Sequence, residues 1–315
     1  MGPRPGFGTC VRPIAGHITV SELYKGKNLL LDAMIYVHAQ VARCAVELDR
    51  DRDGGLKMVA AGFRDSIMDI TARGIGVMCV FDGAKLPGKI ANYSSRAVRV
   101  TRYRVMLESL LSAQLEQVMT DQERKDTEKR YLNQCTMVQE DMILAVMNEL
   151  ERVGLKWRRA QYEADSEMAY LMTDGPGVSL YSAVISADLD LVVHGVQALL
   201  TSYDAKNDSA FVYDTSKFAS YDQNDGSEPF MEAVSHMLKD SKWTLKDILS
   251  SITYACMVGC DYIQNVKNIG HNRACKLLLT VKAPGPEALF DALQCHDKLE
   301  LRQQHLLELR KAFHS

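Results

Sequence analysis

The chain has 315 residues, 47% of them apolar and 24% charged, the profile of a globular protein with room for one large α/β domain or two modest ones. Its formal net charge of −3 excludes a uniformly basic nucleic-acid binder and confines any phosphate-binding surface to a local patch. No apolar run reaches the roughly 18–20 residues of a membrane span, the start lacks the apolar core of a secretion signal, and the eight cysteines form no CxxC pair, so they read as reduced thiols of an intracellular protein.

Residues 27–39, KNLLLDAMIYVHA, predict a short buried strand, an acid and then a helix. Apolar residues recur at helical spacing over 56–73, and GIGVMCVFDG (74–83) reads as a strand that stops at Asp82. The first 83 residues are therefore expected to form a βαβ unit with an acid at each strand end. Residues 84–107 carry Lys85, Lys89, Arg96, Arg99, Arg102 and Arg104 and no acid, and a long helical segment follows over roughly 105–152. LKWRRAQYEADSEMAYLMTDG (155–175) predicts a short strand and a helix opening near Glu163. YSAVISADLDLVVHGV (181–196) is the most strand-like run, a hairpin is expected at 199–214 before a polar loop, and the chain reads as helical from 243 onward.

Seven carboxylates fall at the ends or starts of these elements: Asp32, Asp82, Glu163, Asp165, Asp188, Asp190 and Asp261. A strand that stops at an acid puts it at the carboxyl edge of a sheet, where open α/β folds bind ligands. Acids gathered there repel one another unless cations lie between them, and hard, oxygen-seeking ions such as Mg²⁺ suit that role. On a strand, the spacing of Asp188 and Asp190 would turn both side chains to one face. Each window also has an ordinary reading. Asp188 or Asp190 can cap a turn, Glu163 and Asp165 suit a first helical turn, Asp32 can be a strand-end cap, and Asp82 can serve a turn. Their joint occurrence favours metal binding. The acid-free basic stretch beside them suggests an anionic substrate, and Lys89 and Arg96, seven apart, would share a helix face. Tyr36 and His38 could stack on a base, though such residues more often pack in a core. The turn opening a helix at Gly270, with Lys267, His271, Arg273 and Lys276 around it, could hold phosphate on its backbone N–H groups or be a plain helical corner.

In order, the windows LLLDA, VFDG, YEAD, SADLDLV and GCDY, followed by NIGHNRA, resemble the XPG/flap-endonuclease superfamily of structure-specific 5′ nucleases. VFDGAKLPGK and YEADSEMAYL are most similar to its exonuclease-1 branch, and the resemblance covers about residues 24–282. It implies a PIN-like α/β fold with a mostly parallel central sheet flanked by helices. The nuclease core would run over 1–83 and 153–242, a helical arch over 84–152, and a helical region with a helix–two-turn–helix over 243–315. The seven acids would hold two Mg²⁺ ions, with Mn²⁺ as a substitute. Lys89 and Arg96 would be the arch residues that steer the scissile phosphate. Tyr36, His38, Lys85, Arg99, Lys267, Gly270, His271 and Arg273 would contact DNA, with a K⁺ ion at the helix–two-turn–helix. Implied too are a DNA substrate with 5′ ends, flaps or gaps, a nuclear location, a monomer with no membrane contact, and contacts to repair or replication factors through regions outside this chain. Two alternatives remain open: a flap endonuclease with little exonuclease activity, and a catalytically inactive nucleic-acid-binding scaffold. The chain departs from the family at its start, MGPRPGFGTC, and at Asn268, where the family has its first turn glycine.

Overall fold

The computed structural model describes residues 11–85, 90–112, 120–173, 180–220 and 229–240, with Ile248, Lys276 and Leu279 singly. Seven strands make one mixed sheet: β1 (Ala15–Thr19), β2 (Asn28–Asp32), β3 (Gly76–Phe81), β4 (Lys156–Arg159), β5 (Ala183–Ile185), β6 (Ala198–Asp204) and β7 (Ser209–Asp214). Their order is β1-β7-β6-β5-β2-β3-β4. The pairs β3–β4 and β5–β6 are parallel, and β6–β7 and β1–β7 are antiparallel. The antiparallel pair β6–β7 is the expected hairpin. Its loop is too short for a crossover, and Asp204 closes it by accepting from the N–H groups of Lys206 and Asn207. The chain divides into two compact units, Leu31–Tyr162 and a unit built from Met1–Leu30 with Glu163–Ser315.

In the unit Leu31–Tyr162, helix α2 (Ala33–Arg43) follows β2 directly, and α3 (Ala45–Arg50) and α4 (Arg52–Thr71) follow in turn. (The short helix α1, Val20–Tyr24, precedes β2.) Val59, Phe63, Ile67 and Ile70 lie at helical spacing on α4 and are buried. Phe63 stacks on Phe81 of β3 at 6.0 Å and meets Tyr36 of α2 edge-on at 6.3 Å. Helix α4 packs on α7 (Glu140–Arg152), whose Met142, Ile143, Val146, Met147 and Leu150 form its apolar face. Charged pairs border this contact. Arg52 reaches Asp141, and Glu149 takes both Arg64 and Arg152.

The long helix expected at 105–152 is broken. Helix α5 (Ile90–Leu111) begins inside the basic stretch, and α6 (Asp121–Cys135) and α7 are separate. Thr120 starts α6 with a capping box, since its hydroxyl accepts from Glu123 N–H while the Glu123 carboxylate accepts from Thr120 N–H. Thr136 and Gln139 are extended and end the helical run. Helices α5 and α6 pack through Leu107, Leu132 and Cys135, with Ala45 of α3 and the rings of Tyr103 and Tyr131 beside them.

In the other unit, α8 (Ala164–Thr173) follows Glu163, α9 (Asp190–Val193) follows β5, and α10 (Pro229–Leu238) lies beyond β7. The expected strand at 181–196 shrinks to β5, and Asp188 and Asp190 are not on a strand. Two neighbouring carboxylates on one strand face would repel. The chain instead turns after Ile185, and Asp188 supplies the acceptor for that turn.

Candidate active site

Asp32 ends β2, whose Leu29, Leu30 and Leu31 are fully buried, and it is itself only 7% exposed. Its Oδ1 accepts from Met34 N–H at 3.0 Å, so the acid also caps α2. Asp82 follows Phe81, the buried last residue of β3. The turn behind it is held on three sides. Ala160 N–H donates to the Phe81 carbonyl at 2.9 Å, Gly83 N–H to the Tyr162 carbonyl at 2.5 Å, and Ala84 N–H to the Gln161 carbonyl at 2.9 Å. Arg159 Nε donates to the main-chain carbonyl of Asp82 at 3.1 Å. Gly83 is required by close approach, because a Cβ there would lie 2.0 Å from the Ala160 carbonyl oxygen.

The basic and aromatic candidates of this unit are spread over two helices and the turn. Tyr36 is half-buried against Phe63, as a core residue would be, and His38 is exposed on α2. Lys85 is exposed just past the Asp82 turn, and Arg99 is exposed on α5. Arg96 lies on α5, where its backbone alone is described, and Lys89 falls outside the described residues.

In the other unit, Glu163 immediately precedes α8, its carbonyl accepting from Glu167 N–H at 3.3 Å, and Asp165 stands in the first turn. Acids there face the positive end of the helix dipole. Ser186 Oγ accepts from Asp188 N–H at 3.1 Å, and Asp188 Oδ1 accepts from Asp190 N–H at 2.9 Å, so the DxD run is a hydrogen-bonded turn entering α9. Helices α8 and α9 pack together, which brings the elements of Asp165 and Asp190 side by side. Glu163, Asp165, Asp188 and Asp190 are all half-buried. Asp261, Lys267, Gly270, His271 and Arg273 lie outside the described residues. Among the described residues no three His, Cys, Asp or Glu side chains are grouped to hold a metal ion.

Sequence reading missed Arg159 and its partner Glu140. The run KWRR signals a strand, and nothing in its pattern says that its last cation reaches the Asp82 carbonyl.

Residues 154–261 match the family model described as the XPG I-region. The chain is 24% identical over 280 residues to exodeoxyribonuclease 1 of Schizosaccharomyces pombe, covering 89% of this chain and 43% of that protein. It is 25% identical over 262 residues to exonuclease 1 of Xenopus laevis, covering 83% and 31%. The chain thus spans less than half the length of these relatives. Among solved structures, the catalytic core of Rad2 in complex with DNA substrate matches with a TM-score of 0.58 at 18% identity, over 97% of this chain and 80% of that one. Human GEN1 in complex with Holliday junction DNA matches with a TM-score of 0.54 at 15% identity, over 98% and 62%. The fold is that of these nucleases. With the I-region match over residues 154–261 and the similarity to exonuclease-1 proteins along most of its length, the chain carries an XPG I-region and resembles the exonuclease-1 branch of the XPG/flap-endonuclease superfamily.

Proposed function

We propose that this chain is a Mg²⁺-dependent, structure-specific 5′ nuclease on DNA, hydrolysing phosphodiester bonds from duplex 5′ ends and at 5′ flaps. The observation that carries the reading is that all seven acids occur in family order in a chain similar to exonuclease-1 proteins. The donor set fits the ions. Asp32, Asp82, Glu163, Asp165, Asp188, Asp190 and Asp261 offer carboxylate oxygen alone, the ligand of hard divalent cations, with no thiolate or imidazole among them. Two such ions, when bound, supply a polarised water and neutralise charge on the leaving oxygen.

The chain's own residues do the rest. The acids hold the ions, Asp32 and Asp188 from positions fixed by their hydrogen bonds to Met34 and Asp190. Lys89 and Arg96, in the arch of residues 84–152, stabilise charge on the scissile phosphate. Tyr36, His38, Lys85 and Arg99 contact the DNA near its cleaved end. Lys267, Gly270, His271 and Arg273 grip the duplex backbone, with K⁺ at that turn. The protein works as a nuclear monomer in repair, replication or recombination.

The test uses end-labelled duplexes with a recessed 5′ end or a 5′ flap, each with Mg²⁺ and with EDTA. Metal-dependent release of mononucleotides from the 5′ end, lost in Asp188→Ala, is expected. Cutting at the flap base alone would make the chain a flap endonuclease. No cleavage of either substrate would leave a nucleic-acid-binding scaffold.

A further inference from the structure

Arg159 ends β4, and its guanidinium makes two attachments at once. Nε donates to the Asp82 carbonyl at 3.1 Å, while Nη1 and Nη2 fork onto the two carboxylate oxygens of Glu140 at 2.5 and 2.8 Å. Glu140 opens α7, where the helix dipole favours an anion, and its Arg159 hydrogen bond holds its carboxyl below the usual range. A forked pair fixes the guanidinium plane in a way a single contact does not. It therefore also aims Nε at Asp82.

A grip on the Asp82 carbonyl sets the peptide plane after Asp82, and with it the backbone angle from which the carboxylate leaves the strand end. The neighbouring contacts, Gly83 to Tyr162 and Ala84 to Gln161, hold the turn beyond that plane. We propose that Arg159, braced by Glu140, is a positioning residue for Asp82 as a metal ligand. The inference rests on the metal-binding reading of Asp82 given above.

Two effects compete. The guanidinium is a positive charge near the Asp82 carboxylate and opposes a cation there. It also fixes the ligand's geometry. The Arg159 and Glu140 side chains are 34% and 55% exposed, so solvent and salt screen the charge effect. Loss of groups that orient metal ligands weakens binding by roughly 10–100-fold. Orientation should therefore win.

The two effects predict opposite signs for one variant. Mn²⁺ binding to the whole chain would be measured by titration calorimetry for the unchanged protein and for Arg159→Leu, Glu140→Gln and Asp82→Asn. The thermal midpoint of each metal-free protein would be taken alongside. Arg159→Leu and Glu140→Gln should each weaken Mn²⁺ by roughly 10-fold while the metal-free midpoints stay close to that of the unchanged protein. Equal or tighter binding in Arg159→Leu overturns the proposal, because the guanidinium then acts through its charge alone. If Arg159→Leu fails to fold, Glu140→Gln decides, and unchanged affinity there overturns the proposal as well. Unchanged affinity in Asp82→Asn is a separate failure, since it removes Asp82 from the metal ligands whatever Arg159 does.

Discussion

Asp188 Oδ1 accepts the backbone N–H of Asp190 at 2.9 Å, so one carboxylate of the DxD pair builds the turn that presents the other. The two acids are coupled through the backbone. Replacing the first by a residue without an acceptor removes a turn contact as well as a candidate ligand.

Asp188→Asn and Asp188→Ala should therefore differ in stability but not in activity. The amide keeps an acceptor for Asp190 N–H, so Asn should unfold near the unchanged protein. Ala should lose about 1 kcal/mol, as for other capping contacts. Both should lose Mg²⁺-dependent cleavage. Urea unfolding paired with a cleavage assay checks this, and full activity in either variant would remove Asp188 from the catalytic acids.

Gly83→Ala should damage the Asp82 turn. Its Cβ would meet the Ala160 and Gln161 carbonyl oxygens at 2.0 and 2.5 Å, and neither is a flexible side-chain end. The strain should amount to about 1–3 kcal/mol, the range for forced overpacking. Thermal unfolding reads it directly; a midpoint equal to that of the unchanged protein would show that the turn yields.

Phe63→Ala should be among the most destabilising single changes in the unit Leu31–Tyr162. The ring is fully buried between Tyr36 and Phe81, and its loss should cost about 3–5 kcal/mol. Denaturant unfolding gives the magnitude, and a loss under 1 kcal/mol would mean that the site collapses around the gap.

Glu149 supplies a pH dependence. Hydrogen bonds from Arg152 and then from Arg64 hold its carboxyl down at about 2, against an ordinary value of 4.5. A carboxyl depressed in the folded state stabilises fully above its unfolded value and loses that contribution as pH falls through the folded one. The stability gap between the unchanged protein and Glu149→Gln should thus be constant above about pH 4.5 and shrink between there and about 2. Urea unfolding across that window tests it, and a gap that widens on acidification would contradict the pairing.

Local patterns were legible where they were self-contained. LLLDA announced β2 and α2, because three leucines need burial and a helical pattern follows the acid, while the hydrogen bond by which Asp32 caps α2 shows only in the structure. The hairpin at β6 and β7 was equally plain. Helix α4 begins at Arg52, ahead of the expected 56, because Asp51 caps it by accepting from Gly54 N–H. Gly55 sits in the helix, where a Cβ would lie 2.7 Å from the Leu48 backbone. The DxD run was misread as strand because its apolar flanks hide a turn made by a side chain. The fork from Arg159 to Glu140 spans a strand end and a helix start, and no periodicity encodes it.

Strand β1 pairs only with β7 among the described strands, Ala15 facing Tyr213 and Thr19 facing Ser209. During synthesis β1 leaves the ribosome before the other described strands, and its partner follows roughly 200 residues later. By then the whole of Leu31–Tyr162 has emerged, with local helix pairs of its own to form. The unit that carries Asp188 and Asp190 therefore closes after those local pairs can form, around a strand that waits unpaired until β7 emerges, a stage at which an exposed edge invites chaperones or misassembly.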